Sequence, residues 1–421
     1  MNYYQLCLRL LFCALIGMAN KASAQISASK LRAGAASAHV NPPIGAFIAG
    51  DKQNRRFTGV LDSLFAKAVV LHDGHTALAI VTVDCIGLLY PDIEQIRLRA
   101  SRLVTNVNLP PGHIVVSSTH THAGPDVVGI WGVDYLHSGV DSAYMEQLIH
   151  TAAAQINLAA QRLQPVTARS AETQFGTEWV QNICDEEIDR SVTVLQFVGA
   201  NGQNVASLTN FACHPTYLDA KYTEVSSDYV AGFYRKMAQQ IGGENLFLQG
   251  AIGGWVQPVD GEGTPEKAYL RGEQLADAVF VALQRPTPLR GNALRIRTLP
   301  IQFRLDNAGW KQLAAIGTIK RALSDSVATE LAWFAIGDAQ FATHPGETAP
   351  FYGLETKKMM QTNGPKFVLG LGMDALGYIL KPAYFDNASL PHAPYLTSMS
   401  VGKQTGPDMM AGLRRLIEGR E

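Results

Sequence analysis

Short apolar segments separated by turn residues run along most of the chain and predict a series of paired strands. Residues 64–73 (LFAKAVVLHD) and 76–88 (TALAIVTVDCIGL) flank the turn sequence HDGH and predict two neighbouring strands. Residues 192–215 (VTVLQFVGANGQNVASLTNFACHP) predict a hairpin that turns at Asn201-Gly202, a dipeptide typical of tight β-turns. Residues 331–347 (LAWFAIGDAQFATHPGE) predict a second hairpin that turns at Gly337-Asp338.

Other segments repeat their apolar residues at helical spacing. Residues 92–103 and 143–163 each place apolar side chains three or four positions apart, which predicts two amphipathic helices. Thr264-Pro265-Glu266 has the order of a helix N-cap followed by proline, so a further helix is expected to begin there. Interspersed strands and helices predict an α/β fold, namely a single mixed-sheet domain with flanking helices over residues 25–421. The length also allows two domains, but no linker or internal repeat marks a boundary.

The first residues have a different pattern. Arg9 precedes the apolar segment LLFCALIGMA, and the small residues Ala22-Ser23-Ala24 follow it. This order is typical of a cleavable secretory signal peptide spanning residues 1–24, which predicts a periplasmic or secreted protein. An uncleaved membrane anchor is the alternative. The remaining chain carries three cysteines, Cys85, Cys184 and Cys213, so it can form at most one disulfide bond.

Composition narrows the function classes. The 421 residues are 47% hydrophobic and 17% charged with a net charge of −1, which is ordinary for a globular protein. Because the charge is nearly balanced and no basic cluster occurs, nothing favours a nucleic-acid partner.

The segment HIVVSSTHTHAGPD, residues 113–126, raises the first question of chemistry. Ile114, Val115 and Val116 predict a short buried strand that Gly124-Pro125 brings to an end. If the strand continues through His120 and His122, the two imidazoles point to the same side, because side chains alternate along a strand. The alternative is a pair of surface histidines in a polar loop.

Two further strand ends carry potential ligands. The hairpin at 192–215 ends on His214, and the hairpin at 331–347 ends on Glu347. Two histidines and a carboxylate are a typical ligand set of hydrolytic zinc, which leaves a coordination position open for water. His344 lies near Glu347 and is an alternative ligand. Cys213 is expected to face the core, because it neighbours His214 and should point to the opposite side.

Several motifs together resemble the N-terminal catalytic domain of the neutral/alkaline ceramidases, zinc amidohydrolases that split ceramide into sphingosine and a fatty acid. The resemblance runs from GAASAHVNPPIG near residue 34 to SMSVGKQTGP near residue 407. Its most specific segments occur in the order of that family: STHTHAGPD, NFACHPT, SSDYVAG, FLQGAIGG, THPGET and LGMDALGYILKP.

The resemblance implies a role for individual residues. The zinc ligands would be His120, His214, Glu347 and Tyr378, while His122 would face the substrate as the catalytic residue. The pattern of strand ends does not indicate Tyr378 as a ligand, because phenols are uncommon zinc ligands. Asp228 matches an acidic position of the family, where it would either orient a ligand histidine or cap a helix.

The sequence also departs from the family. The Gly-Asp-x-Ser-Pro loop, whose serine contacts the substrate hydroxyl, is GGWVQP here, so Trp255 and Gln257 are expected to line the pocket instead. The arginine of an Asn-Arg pair is replaced at Asn182-Ile183, and an N-terminal aspartate by His39. The glycine-rich segment 250–258 fits no phosphate-binding loop, and we interpret it as backbone that approaches another segment closely.

The resemblance therefore implies a Zn²⁺-dependent hydrolase of an N-acyl, ceramide-like amide. A small, lipid-like substrate of this kind is compatible with transient contact with a membrane surface. A hydrolase of another amide or ester, or a zinc-containing binding protein without turnover, are the alternatives that the lost substrate-contacting groups leave open.

Overall fold

The computed structural model describes residues 31–184, 187–259, 261 and 263–420. The predicted signal peptide at 1–24 lies outside these residues. The strands are β1 Arg32–His39, β2 Gly59–Val60, β3 Phe65–His72, β4 Ala77–Val83, β5 Ile114–Ser118, β6 Gln164–Gln174, β7 Val180–Asn182, β8 Ser191–Gly199, β9 Asn204–Phe211, β10 Glu224–Val225, β11 Glu244–Gln249, β12 Val256–Pro258, β13 Thr287–Pro288, β14 Leu294–Arg304, β15 Ser326–Ile336, β16 Ala339–His344, β17 Glu347–Thr348, β18 Lys366–Gly370 and β19 Tyr378–Ile379. The helices are α1 Tyr90–Leu103, α2 Ser142–Gln161, α3 Tyr229–Gln240, α4 Pro265–Ala282, α5 Ala308–Ala315, α6 Pro350–Met359, α7 Ala383–Asp386, α8 Ala393–Ser398 and α9 Thr405–Glu418.

A large mixed sheet forms the centre of the molecule. Its strands follow the order β11-β9-β8-β6-β1-β3-β4-β5, and β13 pairs with β6 at the side. The pairs β1–β3, β3–β4 and β8–β9 are antiparallel, whereas β4–β5 and β9–β11 are parallel. Every residue of β4 is buried, as expected for a strand covered on both faces.

Helices cover this sheet, and a smaller sheet packs beside it. Helix α2 contacts β1 and β3, and α1 packs against α2. Helices α3 and α4 contact each other and lie on β11 and β6 respectively. The second sheet has the order β14-β15-β16-β18, and α9 packs on β14 and β15. Among the described helices, none is both long enough and apolar enough to span a bilayer.

The predicted α/β fold, with a mixed sheet and flanking helices, is confirmed. Strands β3 and β4, the hairpin β8–β9 and the hairpin β15–β16 form as their patterns predict. Thr264 caps α4, since its side chain accepts a hydrogen bond from the backbone N–H of Lys267. The sequence pattern did not indicate how the strands divide between the two sheets.

Helix α2 begins at an N-cap that the periodicity did not specify. The Asp141 side chain accepts from the backbone N–H groups of Ala143 and Tyr144, and the helix begins at Ser142. The three cysteines of the described residues, Cys85, Cys184 and Cys213, are buried free thiols.

Candidate metal centre

His120 and His122 lie beyond the end of a strand rather than on it. Strand β5 ends at Ser118, and His120 has a φ of +72°, in the left-handed region that non-glycine residues rarely occupy. Strand alternation is therefore the wrong reason for the two imidazoles to share a direction. They nevertheless converge, with 3.4 Å between the two Nε2 atoms. A strained residue of this kind is typical of functional sites, where surrounding contacts hold it in place.

His214 and Glu347 reach the same point from other parts of the chain. The Nε2 atom of His214 lies 3.0 Å from Oε2 of Glu347, and the Nε2 atom of His120 lies 3.4 Å from the same oxygen. His214 follows β9, while Glu347 begins β17. His120, His214 and Glu347 are all buried. The predicted convergence of these three side chains is therefore present in the fold.

The contacts of the Nδ1 atoms of His120 and His214 show which ring nitrogen carries hydrogen. Nδ1 of His120 lies 2.6 Å from the carbonyl oxygen of Ile86, and Nδ1 of His214 lies 2.9 Å from that of Val256. A carbonyl oxygen can only accept, so both Nδ1 atoms must donate. In the neutral rings, both Nε2 lone pairs then face the Glu347 carboxylate. Such lone pairs and a carboxylate repel one another unless a proton or a metal ion lies between them, and two imidazoles with a carboxylate are a donor set that fits a metal ion.

His120, His122, His214 and Glu347 form a cluster in which a buried anion is surrounded by imidazoles. Burial favours the neutral acid of Glu347, but His120 and His214 hold the pKa of its carboxyl below the usual range. Burial opposes a charge on His120, yet the adjacent Glu347 carboxylate raises the pKa of His120. Burial, aided by the other two imidazoles, lowers the pKa of His214 even though it also contacts Glu347.

Tyr378 reaches the cluster through the strand pair β17–β19. It is the register partner of Glu347, and it is buried beside that residue in the same cavity wall. Its phenol oxygen accepts a hydrogen bond of 2.6 Å from Nε1 of Trp255. Burial, reinforced by Glu347, raises the pKa of Tyr378 well above its usual value.

His122 presents its ring to the cluster in a different setting. The ligand atoms of His120, His122 and His214 all lie within 4.8 Å of one another, so a metal ion could contact any of the three. Nδ1 of His122 contacts a carboxylate instead of a backbone carbonyl, at 2.9 Å from Oδ2 of Asp219. Burial favours neutral Asp219, but His122 and then Arg55 lower the pKa of its carboxyl. Sequence reasoning missed Asp219, although it lies only five positions beyond His214.

His344 and Cys213 are buried and have structural roles. His344 is fully buried, and its two ring nitrogens contact the hydroxyls of Thr348 and Thr356 at 2.8 and 3.0 Å, so it is not directed at the cluster. Cys213 is buried as predicted, and burial raises the pKa of its thiol well above the usual value.

Asp228 is a helix cap rather than a partner of a histidine. Its carboxylate accepts from the backbone N–H groups of Tyr229 and Leu218 at 2.6 and 2.7 Å. Burial raises the pKa of Asp228 to about 7. By bonding to Leu218, Asp228 connects helix α3 to the loop that carries both His214 and Asp219.

The cluster lies at the wall of an apolar cavity of about 80 Å³. The walls are formed by Gly50, Ile86, His120, His122, Val128, Ile130, Trp131, Trp310, Glu347, Leu371, Ala375, Gly377, Tyr378, Tyr395 and Met399. A second cavity of about 370 Å³ shares the residues Val128, Ile130, Trp310, Ala375 and Met399 with the first.

The predicted wall residues Trp255 and Gln257 do not line the cavity. Gln257 instead pairs with Gln181 between strands β12 and β7. Trp255 donates a hydrogen bond to Tyr378 and packs against the ring of Tyr395, two residues of the cavity wall. Trp255 therefore supports the wall from outside the cavity.

The glycine-rich segment before β12 is a close backbone contact, as its sequence predicts. Gly253 donates to the carbonyl oxygen of Thr348 at 2.7 Å, and a Cβ atom added to Gly253 would lie 2.2 Å from the carbonyl oxygen of Glu347. Only glycine allows this segment to pass so close to β17.

Comparison with solved structures assigns the fold. The neutral ceramidase of Pseudomonas aeruginosa matches with a TM-score of 0.76 and 16% sequence identity, over 93% of this chain and 74% of that chain. A ceramidase complexed with C2 matches with a TM-score of 0.75 and 15% identity, over 93% of this chain and 75% of that chain. No protein-family model and no curated protein matches the sequence. The chain therefore has the fold of the neutral ceramidases.

Proposed function

We propose that this protein is a zinc-dependent amidohydrolase that cleaves an N-acyl, ceramide-like amide bond. The observation that carries the proposal is the buried convergence of His120, His214 and Glu347, with both imidazoles held by backbone carbonyls so that their Nε2 atoms face one carboxylate. The ceramidase fold supports the same assignment, since one of the matching structures is a neutral ceramidase.

His120, His214, Glu347 and Tyr378 would hold the ion. A bound zinc ion lowers the pKa of a coordinated water to about 7 and polarises a carbonyl group. Trp255 orients the phenol of Tyr378 by donating to its oxygen. His122 presents its Nε2 atom at the cavity wall, where it can take a proton from water and return it to the leaving amine. Apolar side chains of the cavity surround these groups.

The cavity favours an acyl chain over a polar head group. Apart from the cluster itself, its described lining residues are glycine, alanine, aliphatic, aromatic and methionine side chains, without a serine, asparagine, aspartate or arginine. The neighbouring cavity of about 370 Å³ adds mainly apolar space, and its lining also includes the polar residues Asn307, Arg321 and Ser398. This composition favours an N-acyl substrate, and it keeps another amide or ester of a fatty acid as the second candidate.

Metal analysis combined with a product screen tests the function. Purified protein is expected to contain zinc and to release fatty acid from at least one compound among N-acyl sphingosines, N-acyl amino acids and simple esters. The variant His214→Ala is the matched control and should lose both zinc and activity. Zinc without turnover of any compound would indicate a binding protein, and absence of bound zinc would contradict the proposal.

We also propose that the protein is exported, on the basis of the signal-peptide pattern in residues 1–24. The amino terminus of the mature protein, read from periplasmic and culture fractions, tests this proposal. We expect it to begin at Gln25.

A further inference from the structure

His122 differs from the other two histidines of the cluster in the group that holds its outer nitrogen. His120 and His214 donate to backbone carbonyls, which are fixed by the main chain. His122 instead contacts the side chain of Asp219. A side chain can orient an imidazole only if the side chain is itself held in place.

Arg55 holds Asp219 in place. The side chain of Arg55 is buried, with 5% of its surface exposed, and one of its nitrogens lies 3.5 Å from Oδ1 of Asp219. Arg55 also donates to the backbone carbonyls of Asp219 and Ala49, both at 2.9 Å. It therefore binds the loop that carries Asp219 to the loop that carries Gly50.

Gly50 packs against the contact between His122 and Asp219. Its φ is +121°, and a Cβ atom added there would lie 3.0 Å from both Cβ and Nδ1 of His122 and 3.1 Å from Oδ1 of Asp219. The backbone at Gly50 therefore packs directly on the contact between His122 and Asp219. Nε1 of Trp131 donates to the carbonyl oxygen of Gly50 at 2.8 Å and keeps this loop against the cavity.

We propose that Asp219 is a positioning residue, which fixes His122 as the tautomer with hydrogen on Nδ1 and directs a bare Nε2 atom into the cavity. Arg55 keeps the carboxylate turned so that Oδ2 faces the imidazole. The catalytic use of His122 rests on the proposed function, whereas its tautomer does not.

The substitution Asp219→Asn should reverse the tautomer. The Arg55 guanidinium, which lies 3.5 Å from Oδ1, carries only N–H donors, so the amide oxygen of asparagine should face Arg55 and the amide nitrogen should face His122. An amide N–H pointing at Nδ1 selects the ring with hydrogen on Nε2. That hydrogen would face the Nε2 atom of His120, 3.4 Å away in the present structure, and His122 could no longer accept a proton. A histidine in the wrong tautomer costs other hydrolases about 10⁴-fold in kcat.

NMR of protein labelled with ¹⁵N in its histidine rings tests the tautomer directly. In the wild type we expect His122 to carry hydrogen on Nδ1 and none on Nε2. The corresponding Nδ1–H signal is assigned by its absence from the spectrum of His122→Gln. In Asp219→Asn the hydrogen should move to Nε2. Asp134→Asn is the matched control, because it removes the carboxylate from an exposed pair, His137–Asp134, at 2.7 Å. A wild-type His122 without hydrogen on Nδ1 would overturn the proposal, and so would an unchanged tautomer in Asp219→Asn.

Kinetics and metal content supply the second readout. For a substrate found in the product screen, Asp219→Asn should lower kcat by about 10²–10⁴-fold with little change in KM and with zinc content unchanged. Loss of zinc in parallel with the rate would overturn a positioning role. If the wild type hydrolyses none of the compounds, the proposed function fails, while the NMR measurement still decides the role of Asp219.

Discussion

At the residue scale, the two kinds of histidine at the cluster should respond differently to truncation. His214→Ala opens the set of ligands, so we expect bound zinc to be lost. His122→Ala should keep zinc and lower kcat by about 10²–10⁴-fold, the usual effect of removing a proton-transfer group. Zinc per chain after identical dialysis, with exposed His137→Ala as the control, measures the difference. Equal loss of zinc in both variants would make His122 a ligand, as the distances among the three imidazoles also permit.

His344 predicts a pH dependence of stability. Burial lowers the pKa of His344 to about 3, whereas an unfolded histidine titrates near 6.5. Below pH 6.5 the unfolded chain therefore binds a proton that the folded chain does not. The free energy of unfolding consequently decreases as the pH is lowered from about 6.5 to about 3. At pH 5 this difference amounts to about 2 kcal/mol.

The variant His344→Gln removes the titration of this site. At pH 7 it should be less stable than the wild type, because two buried threonine hydroxyls lose their partner. The difference in unfolding free energy between the wild type and His344→Gln should be about 2 kcal/mol smaller at pH 5 than at pH 7. Urea unfolding at the two pH values measures the gap, and exposed His150→Gln should show no such narrowing. A constant gap would contradict a neutral, buried His344.

At the element scale, the short strand β17 depends on a glycine of another segment. Gly253 packs against the backbone of Glu347, where an added Cβ atom would lie 2.2 Å from a carbonyl oxygen. The added methyl group would clash with backbone atoms, which cannot rotate away as a flexible side chain can. Gly253→Ala should therefore displace the whole of β17 and with it the Glu347 carboxylate. We expect a loss of about 1–3 kcal/mol in unfolding free energy, typical of overpacking, together with weaker zinc binding.

Gly112→Ala is the matched control for this substitution. An added Cβ atom there has no neighbour closer than 3.9 Å, so stability and zinc content should stay near those of the wild type. Thermal unfolding and zinc analysis of both variants test the role of β17. Normal zinc affinity in Gly253→Ala would show that the carboxylate tolerates movement of its strand.

At the scale of the whole molecule, the composition of the cavity predicts substrate preference. Ceramide carries two sphingoid hydroxyls. Outside the cluster, the described wall offers them one side-chain hydroxyl, that of Tyr395, and no carboxamide or charged side chain. A buried hydroxyl without a partner costs about 1–3 kcal/mol. One hydroxyl left in this state would weaken discrimination for ceramide by about 10–10²-fold, at 1.4 kcal/mol per tenfold.

We therefore expect a higher kcat/KM for an N-acyl amine without the diol than for ceramide of the same acyl chain. Steady-state kinetics on the two compounds, with His214→Ala as the blank, measures the ratio. A clear preference for ceramide would show that backbone groups or water satisfy the hydroxyls, and it would leave the metal centre unaffected.

The sequence by itself determined several strands, two hairpins and most of the residues of the candidate metal centre. Hydrophobic period and turn residues are local signals, so β3–β4, β8–β9 and β15–β16 were predictable from their own segments. His120, His214 and Glu347 were identified because each follows an apolar strand beside glycine or proline. Tyr378 was reached only through the resemblance to ceramidases.

Only the tertiary structure decided which side chains face one another. The positive φ of His120, the contact of Asp219 with His122 and the passage of Gly253 along β17 all join segments that are distant in sequence or depart from regular secondary structure. No periodic pattern encodes such contacts. Of the two roles expected of Asp228, the structure shows the helix cap, and Asp219, for which the sequence predicted no role, contacts the imidazole of His122 instead. The loop between β9 and α3 sets which carboxylate meets an imidazole and which meets backbone N–H groups.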